Sequence, residues 1–463
     1  MDILQLQQKT VAILGLGQEG QAIARYLIKH QIKFTIFDQR TEDQLNQIGN
    51  LNLPTEQASF SLGQNYLSKL KDFEIIFRSP GISLTKIQEY INPQAQILSQ
   101  TKYFFANCPA KIVGITGTKG KGTTSALIYN LLKTKYNCYL TGNIGKDQPL
   151  DFLEELTSDD FVIYEMSSFQ LQDLEQSPHI GVCLMVTSDH LDYHQDLHEY
   201  HTAKESICKF QTPKDYVIFN QDYPASVEIG QSGDGQKLTF STQAKDFAEL
   251  MSSNGSFVID EQLFIKLNRQ ELQINITDRK IVGVHNKQNI SAAILTALIL
   301  EIKPEQILEV LAQYRGLPYR LEPVAQIGQS KFINDGVSTS PDSAIAAIKA
   351  FPHNSILAIV GGYDKGLDFS HLVDELNTNN NVKAVITLGQ TGALIAPQLD
   401  KNKLQHFGQF TNLAKAFDKI TTLNQDFDVV LFSPGFASFD MFKNTYDRSE
   451  QFSTLVKEYA KQK

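Results

Sequence analysis

The chain has 463 residues, 42% of them apolar and 20% charged, with a formal net charge of −9. That length exceeds one ordinary core and predicts about three domains of a globular protein. The negative balance argues against nucleic acid or an anionic membrane as a partner. Cys108, Cys138, Cys183 and Cys208 form no CxxC pair, which suits reduced thiols and gives no zinc site. The N-terminus has no charged stretch leading into an apolar core, so no signal peptide is expected. The longest apolar candidate for a membrane span, Ile290–Ile302, is too short and includes Glu301.

Thr10–Leu14 reads as a buried strand running into Gly15-Leu16-Gly17-Gln18-Glu19-Gly20 and a helix through about His30. A second strand, Lys33–Phe37, ends at Asp38, 18 residues past the last glycine. The default reading is a dinucleotide site, with pyrophosphate on the helix N-terminus and Asp38 on a ribose. Glu19 opposes that default, because a carboxylate in the loop repels a closely approaching pyrophosphate. A third strand, Phe73–Phe77, enters Arg78-Ser79-Pro80-Gly81-Ile82, whose small residues leave room for a ligand at the sheet edge. This region reads as a nucleotide-binding domain for which NAD does not follow.

Ile112–Thr124 is the most informative stretch. An apolar run (Ile112, Val113, Ile115) enters a loop with Gly114, Gly117, Gly120 and Gly122, and Lys121 sits inside it. Thr123 and Thr124 precede an apolar helical run, Ser125–Leu132. Strand, glycine loop, lysine, hydroxyl and helix make a phosphate cradle: backbone N–H groups approach the oxygens, and the lysine neutralises them. The alternative is an ordinary glycine-rich turn. The strict pattern has glycine at 115 and a hydroxyl at 122, where Ile115 and Gly122 stand.

Thr141-Gly142-Asn143-Ile144-Gly145 is a polar turn on the same edge. The strand Phe161–Tyr164 ends at Glu165, a position for a Mg²⁺ ligand, a water-positioning group or a merely structural carboxylate. After the strand Val182–Val186, Asp189, His190, Asp192 and His194 form a metal-facing loop or a solvated loop with a capping aspartate. The helix Leu197–Phe210 carries Lys204, which alone reads as a surface lysine. His285, Asn286 and Asn289 sit on the first turn of a helix reaching Ile302, where amides cap the helix or read a base or ribose. Leu317-Pro318-Tyr319-Arg320 reads as a hinge. Beyond it, the strands Ile356–Val360, Ala384–Leu388 and Asp428–Phe432 each enter a glycine turn, which predicts a second small doubly wound sheet.

In order, the motifs GITGTKGK, GNIG, YEMSSFQL, VTSDHLDYH, Ala203-Lys204 in a helix, VHNKQN, LPYRLE, Asn334-Asp335, GGYDKG and SPGFASFD closely resemble the Mur ligase family. The resemblance covers nearly the whole chain. With GLGQEG and the SPGI turn in a short N-terminal domain, it is most similar to the D-glutamate-adding branch. It implies an α/β protein of three domains. These are a Rossmann-like UDP-substrate domain (1–102), a P-loop-type ATP-binding domain with a mainly parallel sheet (103–316), and a C-terminal Rossmann-like doubly wound domain for the amino acid (317–463).

The resemblance implies UDP-substrate contacts from Gly17, Gln18 and Glu19 at the diphosphate and from Asp38 and Arg40 at the uridine. Ser79 and Gly81 would supply the facing turn, with Asn143 near substrate. It implies ATP on Gly117, Thr118, Lys119, Gly120, Lys121, Gly122, Thr123 and Thr124. Asn286 and Asn289 would lie near adenine, with Arg320 and Asp335 reaching ATP from the hinge and C-terminal domain. Lys121, Glu165, His190 and Lys204 are the implied catalytic residues. Thr123, Glu165, His190 and Lys204 are implied at two Mg²⁺ ions, Lys204 as a CO₂-derived carbamate. Thr339, Lys365 and Ser438 are implied at D-glutamate. The implied activity is ATP-dependent joining of D-glutamate to the L-alanine carboxyl of UDP-N-acetylmuramoyl-L-alanine through an acyl phosphate. Its implied setting is cytoplasmic peptidoglycan precursor synthesis by a monomer. Hinge closure is expected, because the C-terminal residues must reach a site on another domain.

Four places depart from the family's usual residues. Gly122 lacks the hydroxyl that normally follows the loop lysine. Gly336 and Val337 replace a hydroxyl and a cation, Thr445 replaces an aromatic, and Ser449 replaces a glycine after Arg448. The last three surround the incoming amino acid. The alternatives are a sibling ligase with another amino acid, a folate-type polyglutamate ligase, a catalytically inactive nucleotide-binding homologue, and an NAD dehydrogenase resting on GxGxxG alone.

Overall fold

The computed structural model describes residues 3–47, 56–187, 193–243, 253–400, 402–423 and 426–463. Three sheets organise them. The first holds β1 (Val11–Leu14), β2 (Phe34–Asp38), β3 (Ala58–Leu62), β4 (Ile75–Arg78) and β5 (Gln96–Leu98), in the order β3-β2-β1-β4-β5. Every pairing in it is parallel. β1 and β4 are buried at every residue, as apolar runs covered on both faces must be.

The second sheet holds β6 (Lys111–Thr116), β7 (Cys138–Gly142), β8 (Phe161–Glu165), β9 (Ile180–Cys183), β10 (Tyr216–Asn220), β11 (Gln236–Ser241), β12 (Gly255–Ile259), β13 (Gln262–Leu267) and β14 (Gln270–Asn275). Its order is β14-β13-β12-β11-β10-β9-β6-β8-β7. Pairing is parallel from β7 across to β12, then antiparallel through β13 and β14. The β13–β14 turn has Asn268 at φ +50° and Arg269 at φ +72°. Two positive φ values in a two-residue hairpin loop match the right-handed twist of the flanking strands.

The third sheet holds β15 (Glu322–Ile327), β16 (Ser330–Asn334), β17 (Ile356–Gly361), β18 (Val382–Leu388), β19 (Gln405–Phe410) and β20 (Val429–Phe432), in the order β15-β16-β20-β17-β18-β19. β15 pairs antiparallel and the rest parallel. The protein is therefore α/β with mainly parallel sheets.

The chain divides into two compact units, Met1–Thr277 with Gln288–Val310, and Asp278–Lys287 with Leu311–Lys463. In the first unit one apolar core joins the first two sheets. It includes Phe77, Tyr103, Phe104, Phe152 and Tyr164. In the second unit an apolar cluster lies on each face of its sheet, one around Ala358 and Leu431, the other around Leu357 and Phe432.

Several boundaries differ from expectation. The phosphate-loop helix is Lys121–Leu132, four residues longer at its start, because Gly120 at φ +90° serves as its N-cap. β9 ends at Cys183 rather than Val186, and the next helix, Leu197–Glu205, stops short of Phe210. The helix opened by VHNKQN is Val284–Ile299, so Asn289 sits in its second turn. At the expected hinge, Tyr319 (φ +62°) and Leu321 (φ +46°) hold left-handed backbone, which costs roughly 1 kcal/mol each. Among the described residues no helix is long and apolar enough to cross a membrane.

Candidate functional site

The phosphate loop leaves β6 where the strand order reverses, with β8 on one side and β9 on the other. Such switch points open a crevice at the strands' carboxyl ends. The Thr118 N–H donates to the Met185 carbonyl at 2.7 Å. Thr118 Oγ1 donates to the Thr187 carbonyl at 3.1 Å and lies 3.0 Å from the Tyr200 hydroxyl. These bonds fix the loop to the segment after β9 and to the helix Leu197–Glu205. A Cβ at Gly120 would lie 2.4 Å from Asn289 Oδ1, so that amide closes directly on the loop. Lys121 Nζ donates to the carbonyls of Gly117 (2.8 Å) and Thr118 (3.0 Å), which holds the ammonium over the loop. Lys119 is exposed at its crest. Gly122, Thr123 and Thr124 form the first helical turn. Thr124 is fully buried, its Oγ1 without a hydrogen-bond partner among the described residues, whereas Thr123 remains partly exposed.

Lys204 is not a surface lysine. It is 1% exposed, and Nζ donates to Thr116 Oγ1 (3.3 Å) and the Gly117 carbonyl (3.4 Å). Its nitrogen also lies 4.7 Å from the Tyr200 ring centroid. The cause is the helix face: Asp196 caps Leu197–Glu205, and Tyr200, Ala203 and Lys204 form its buried side. Glu165 is nearly buried at the end of β8, opposite Ile115 of β6. Asp189, His190 and Asp192 lie outside the described residues. His194 is buried, with Nε2 3.0 Å from Ser168 Oγ. Among the described residues no three His, Cys, Asp or Glu side chains converge as a metal cluster. The candidate donors here are Glu165, Lys204 and the loop hydroxyls.

A cavity of about 710 Å³ opens beyond the carboxyl ends of β1, β2 and β4, lined by Gly15, Asp38 and Ser79. Of the residues implied for the UDP substrate, Gly17, Asp38, Arg40, Ser79 and Gly81 line it; Gln18, Glu19 and Asn143 do not. Sequence reasoning missed Tyr66 and Lys86 on the N-terminal side, and Gln172, Tyr193 and Glu199 across from them. Tyr66 lies between short strands with no motif around it. The other side comes from a distant stretch of chain that only folding brings near. The Asp38 carboxylate accepts from Leu16 N–H (2.8 Å), Arg40 N–H (3.0 Å), and Arg40 Nε (2.8 Å) and Nη2 (2.6 Å). Burial alone raises its pKa, but these bonds outweigh it and hold the group below its usual range. Asp38 therefore organises the GxGxxG loop and the Arg40 guanidinium. Gly20 is required by close approach, since a Cβ there would lie 2.1 Å from the Gly15 carbonyl.

Glu19 turns away from the cavity. Its Oε1 accepts from Gln170 Nε2 at 2.8 Å, and its Oε2 is buried with no hydrogen-bond partner among the described residues. Burial pushes its pKa up to about 7. The feared repulsion of a pyrophosphate is relieved by both orientation and partial neutrality. Arg78, expected in the turn, ends β4 and is fully buried. It donates to the Pro80 (3.1 Å) and Ile82 (2.6 Å) carbonyls and pairs with Asp173 at 2.8 Å. The Tyr193 hydroxyl also donates to the Pro80 carbonyl, at 2.8 Å.

In the second unit, Asp335 is buried and accepts from Leu321 N–H (3.2 Å) and Ser433 Oγ (2.7 Å). Burial raises its pKa to about 6. Arg320 and Thr339 are exposed, and Asn286 donates its amide to the Val282 carbonyl at 2.7 Å, a helix-end role. Lys365 Nζ lies 5.2 Å from the ring centroid of Phe439, an exposed aromatic missed from sequence although it follows Ser438 directly. Ser438 was expected to offer a hydroxyl, but it is 1% exposed and its Oγ is buried without a hydrogen-bond partner among the described residues. Arg448 is buried and donates to the carbonyls of Gly336, Phe436, Ala437 and Ser338.

Two departures prove to be one. A Cβ at Gly336 would lie 2.4 Å from Ser449 Oγ. The serine at 449 fills the space that a side chain at 336 would need.

These features define a nucleotide-binding α/β protein with its phosphate loop on the central sheet. Residues 115–297 match the Mur ligase middle domain, and residues 9–99 match the MurD-like N-terminal domain of Mur ligases. A Clostridium tetani protein named UDP-N-acetylmuramoylalanine–D-glutamate ligase is 33% identical, over 98% of this chain and 97% of that one. An Acetivibrio thermocellus protein of the same name is 33% identical over 97% of each chain. Among solved structures, the MurF ligase of Thermotoga maritima in complex with ADP aligns with a TM-score of 0.60 at 16% identity, over 99% of this chain and 97% of that one. The UDP-N-acetylmuramate–alanine ligase MurC of the same organism aligns at 0.59 and 16%, over 98% and 100%. The chain belongs to the Mur ligase family.

Proposed function

We propose that this chain is the ATP-dependent ligase that joins D-glutamate to the L-alanine carboxyl of UDP-N-acetylmuramoyl-L-alanine, forming ADP and phosphate in the cytoplasm. The observation that carries the reading is the 33% identity, over nearly full length, to relatives named for that reaction. The domain limits follow as 1–102 for the UDP substrate, 103–316 for ATP and 317–463 for the amino acid. A monomer acting on small molecules is the simplest assembly.

The donor chemistry around the phosphate loop fits a metal-bound triphosphate. A strand-end carboxylate (Glu165), a partly exposed hydroxyl (Thr123) and a loop ammonium (Lys121) accompany the N-terminus of a helix. Thr123, not the buried Thr124, takes the place left by Gly122. Bound Mg²⁺ would supply charge screening between the triphosphate and the attacking carboxylate. Glu165, Thr123, His190 and Lys204 would hold it. Lys121 would exchange its loop carbonyls for phosphate oxygens. Lys204, as a neutral amine, would add CO₂ and lose a proton, giving an anionic carbamate.

The substrate carboxylate attacks the γ-phosphorus of ATP, and ADP leaves. The amine of glutamate then attacks the acyl carbon, phosphate leaves and the amine loses a proton. Both reactants of the first step are anionic, so positioning and charge neutralisation carry most of the work. Arg40 and the cavity at β1 and β4 hold the uridine diphosphate end. Lys365 and Thr339 offer a cation and a hydroxyl to the glutamate carboxylates. Arg320 and Asp335 act toward ATP.

A sibling specificity is the second reading, favoured by Gly336, Val337 and Thr445. The test is Mg²⁺- and ATP-dependent phosphate release measured across candidate amino acids with UDP-N-acetylmuramoyl-L-alanine. D-glutamate should support release. Release with another amino acid in its place overturns the specific assignment and leaves the family.

A further inference from the structure

Glu19 is an unusual group for a phosphate-binding loop. It occupies the second position of the helix Gln18–Lys29, whose N-terminus points at the cavity that takes the nucleotide diphosphate in the function proposed above. Its carboxylate nevertheless leaves that cavity and enters the seam between the first two sheets. There Gln170 Nε2 donates to Oε1 at 2.8 Å.

Gln170 is itself committed on its other side. Its Oε1 accepts from the Ser167 N–H (2.9 Å) and Ser167 Oγ (3.1 Å), and Ser167 Oγ accepts from the Gln170 N–H (3.3 Å). This reciprocal box starts the short helix Ser168–Leu171, its cap Ser167 two residues beyond Glu165. One residue back, the Met166 carbonyl accepts from Thr116 Oγ1 at 3.1 Å, and Thr116 Oγ1 accepts from Lys204 Nζ at 3.3 Å. Bonded contacts therefore run from the diphosphate loop through Gln170 and the Glu165 strand end to Lys204. A side-chain amide has two ends, and here each end is used by a different ligand loop.

We propose that Glu19 is a positioning residue that locks the diphosphate loop to the Glu165 end of β8 through Gln170 and Ser167. The lock fixes the rotamer of Gln170, and with it the box that sets where β8 ends. A serine or alanine at 19 cannot reach Gln170, whereas glutamine can, because its amide oxygen accepts the same N–H. Burial, opposed by the Gln170 hydrogen bond and the Arg78 charge, raises the pKa to about 7 and leaves the carboxyl partly neutral near pH 7. An amide is thus a close mimic of the working state. The proposal rests on the substrate assignments above only in naming which ligand each loop holds.

Two measurements on the full chain test it. In the unliganded protein, hydrogen exchange at the Ser167 amide should quicken about tenfold in Glu19→Ala and in Gln170→Ala, and stay within twofold of wild type in Glu19→Gln. By calorimetry, Mg·ATP should bind about fivefold more weakly to Glu19→Ala, at near wild-type strength to Glu19→Gln, and no more weakly to the double Glu19→Ala/Gln170→Ala variant than to either single one. Unchanged Ser167 exchange in Glu19→Ala overturns the link whatever Gln170→Ala does, as do fully additive losses in the double variant. If wild type itself fails to bind Mg·ATP, the proposed function is refuted, and Ser167 exchange alone decides the lock. Glu19→Leu, which keeps the bulk and lacks the acceptor, serves if Glu19→Ala does not fold.

Discussion

Replacing Gly336 by serine restores the family's usual residue type and should nevertheless damage this protein. The added Cβ would lie 2.4 Å from Ser449 Oγ, 2.8 Å from Asn334 Oδ1 and 3.0 Å from Ser449 Cα. Overpacking of a tight site costs typically ~1–3 kcal/mol. The strain falls on a bonded group: the Gly336 N–H donates to Asn334 Oδ1 at 2.9 Å, and Asn334 Nδ2 donates to the Ser449 carbonyl and Ser453 Oγ, both at 2.8 Å. Losing one of these bonds adds about 1 kcal/mol. Gly336→Ser alone should therefore destabilise the second unit by roughly 2–4 kcal/mol. Ser449→Gly removes the bond from Ser449 Oγ to the Thr445 carbonyl and places glycine inside the helix Thr445–Gln462, a cost of about 1 kcal/mol. The double variant should cost about 2 kcal/mol less than the two single costs together, because Ser449→Gly removes the closest contact while Asn334 Oδ1 at 2.8 Å remains. That is a coupling of about 2 kcal/mol where distant sites couple by less than ~0.5. The chain has more than one compact unit, so the assay is hydrogen exchange along a urea gradient, read at β16 and β20. Additive effects within about 0.5 kcal/mol would refute the claim that the two departures are one exchange of side chains.

Three other predictions concern charge and the site. Asp335 has its pKa raised from 3.8 to about 6, so folding favours its neutral form and its contribution is fully present below about pH 4 and lost as pH rises through 6. Asp335→Asn should flatten the fall in stability of the second unit between pH 4 and 7, a difference of about 2–3 kcal/mol; parallel pH profiles for the two proteins would sink this. Lys204→Ala should lower kcat by at least about 10³ if the buried lysine carries a carbamate, and ¹³CO₂ should give a carbamate resonance in the wild type that the variant lacks. Near-normal turnover of the variant contradicts that role. Tyr66→Ala should raise KM for the UDP substrate about tenfold with kcat nearly unchanged, which steady-state kinetics read directly; a fall in kcat at constant KM would move Tyr66 out of the binding wall.

Much of the site was legible because its chemistry is local in the chain. Gly15–Gly20 and Ile112–Thr124 each carry strand, turn and helix start within a few residues, so their spacing alone states where backbone N–H groups point. Glu165 was legible because it ends a strand of buried apolar residues. Lys204 was not, because burial depends on which helix face meets the sheet, and Leu197–Glu205 has no strong apolar stripe to announce that face. The β12–β14 meander went unseen because its strands alternate weakly and its turns lack glycine.

Sequence by itself determined that this is an α/β nucleotide-binding chain of the Mur ligase family. Periodicity, glycine spacing and motif order survive without coordinates. Tertiary structure alone decided where side chains with several possible partners went. Glu19 could have faced the diphosphate but turned to Gln170, Asp38 was taken by Leu16 and Arg40, and Ser438 closed inward. Gly336 and Ser449 looked like two independent losses and became one packed pair. The physical reason is the same in each case. A side chain's role is set by the groups within a few ångströms of it, and here those groups lie up to 151 residues away along the chain.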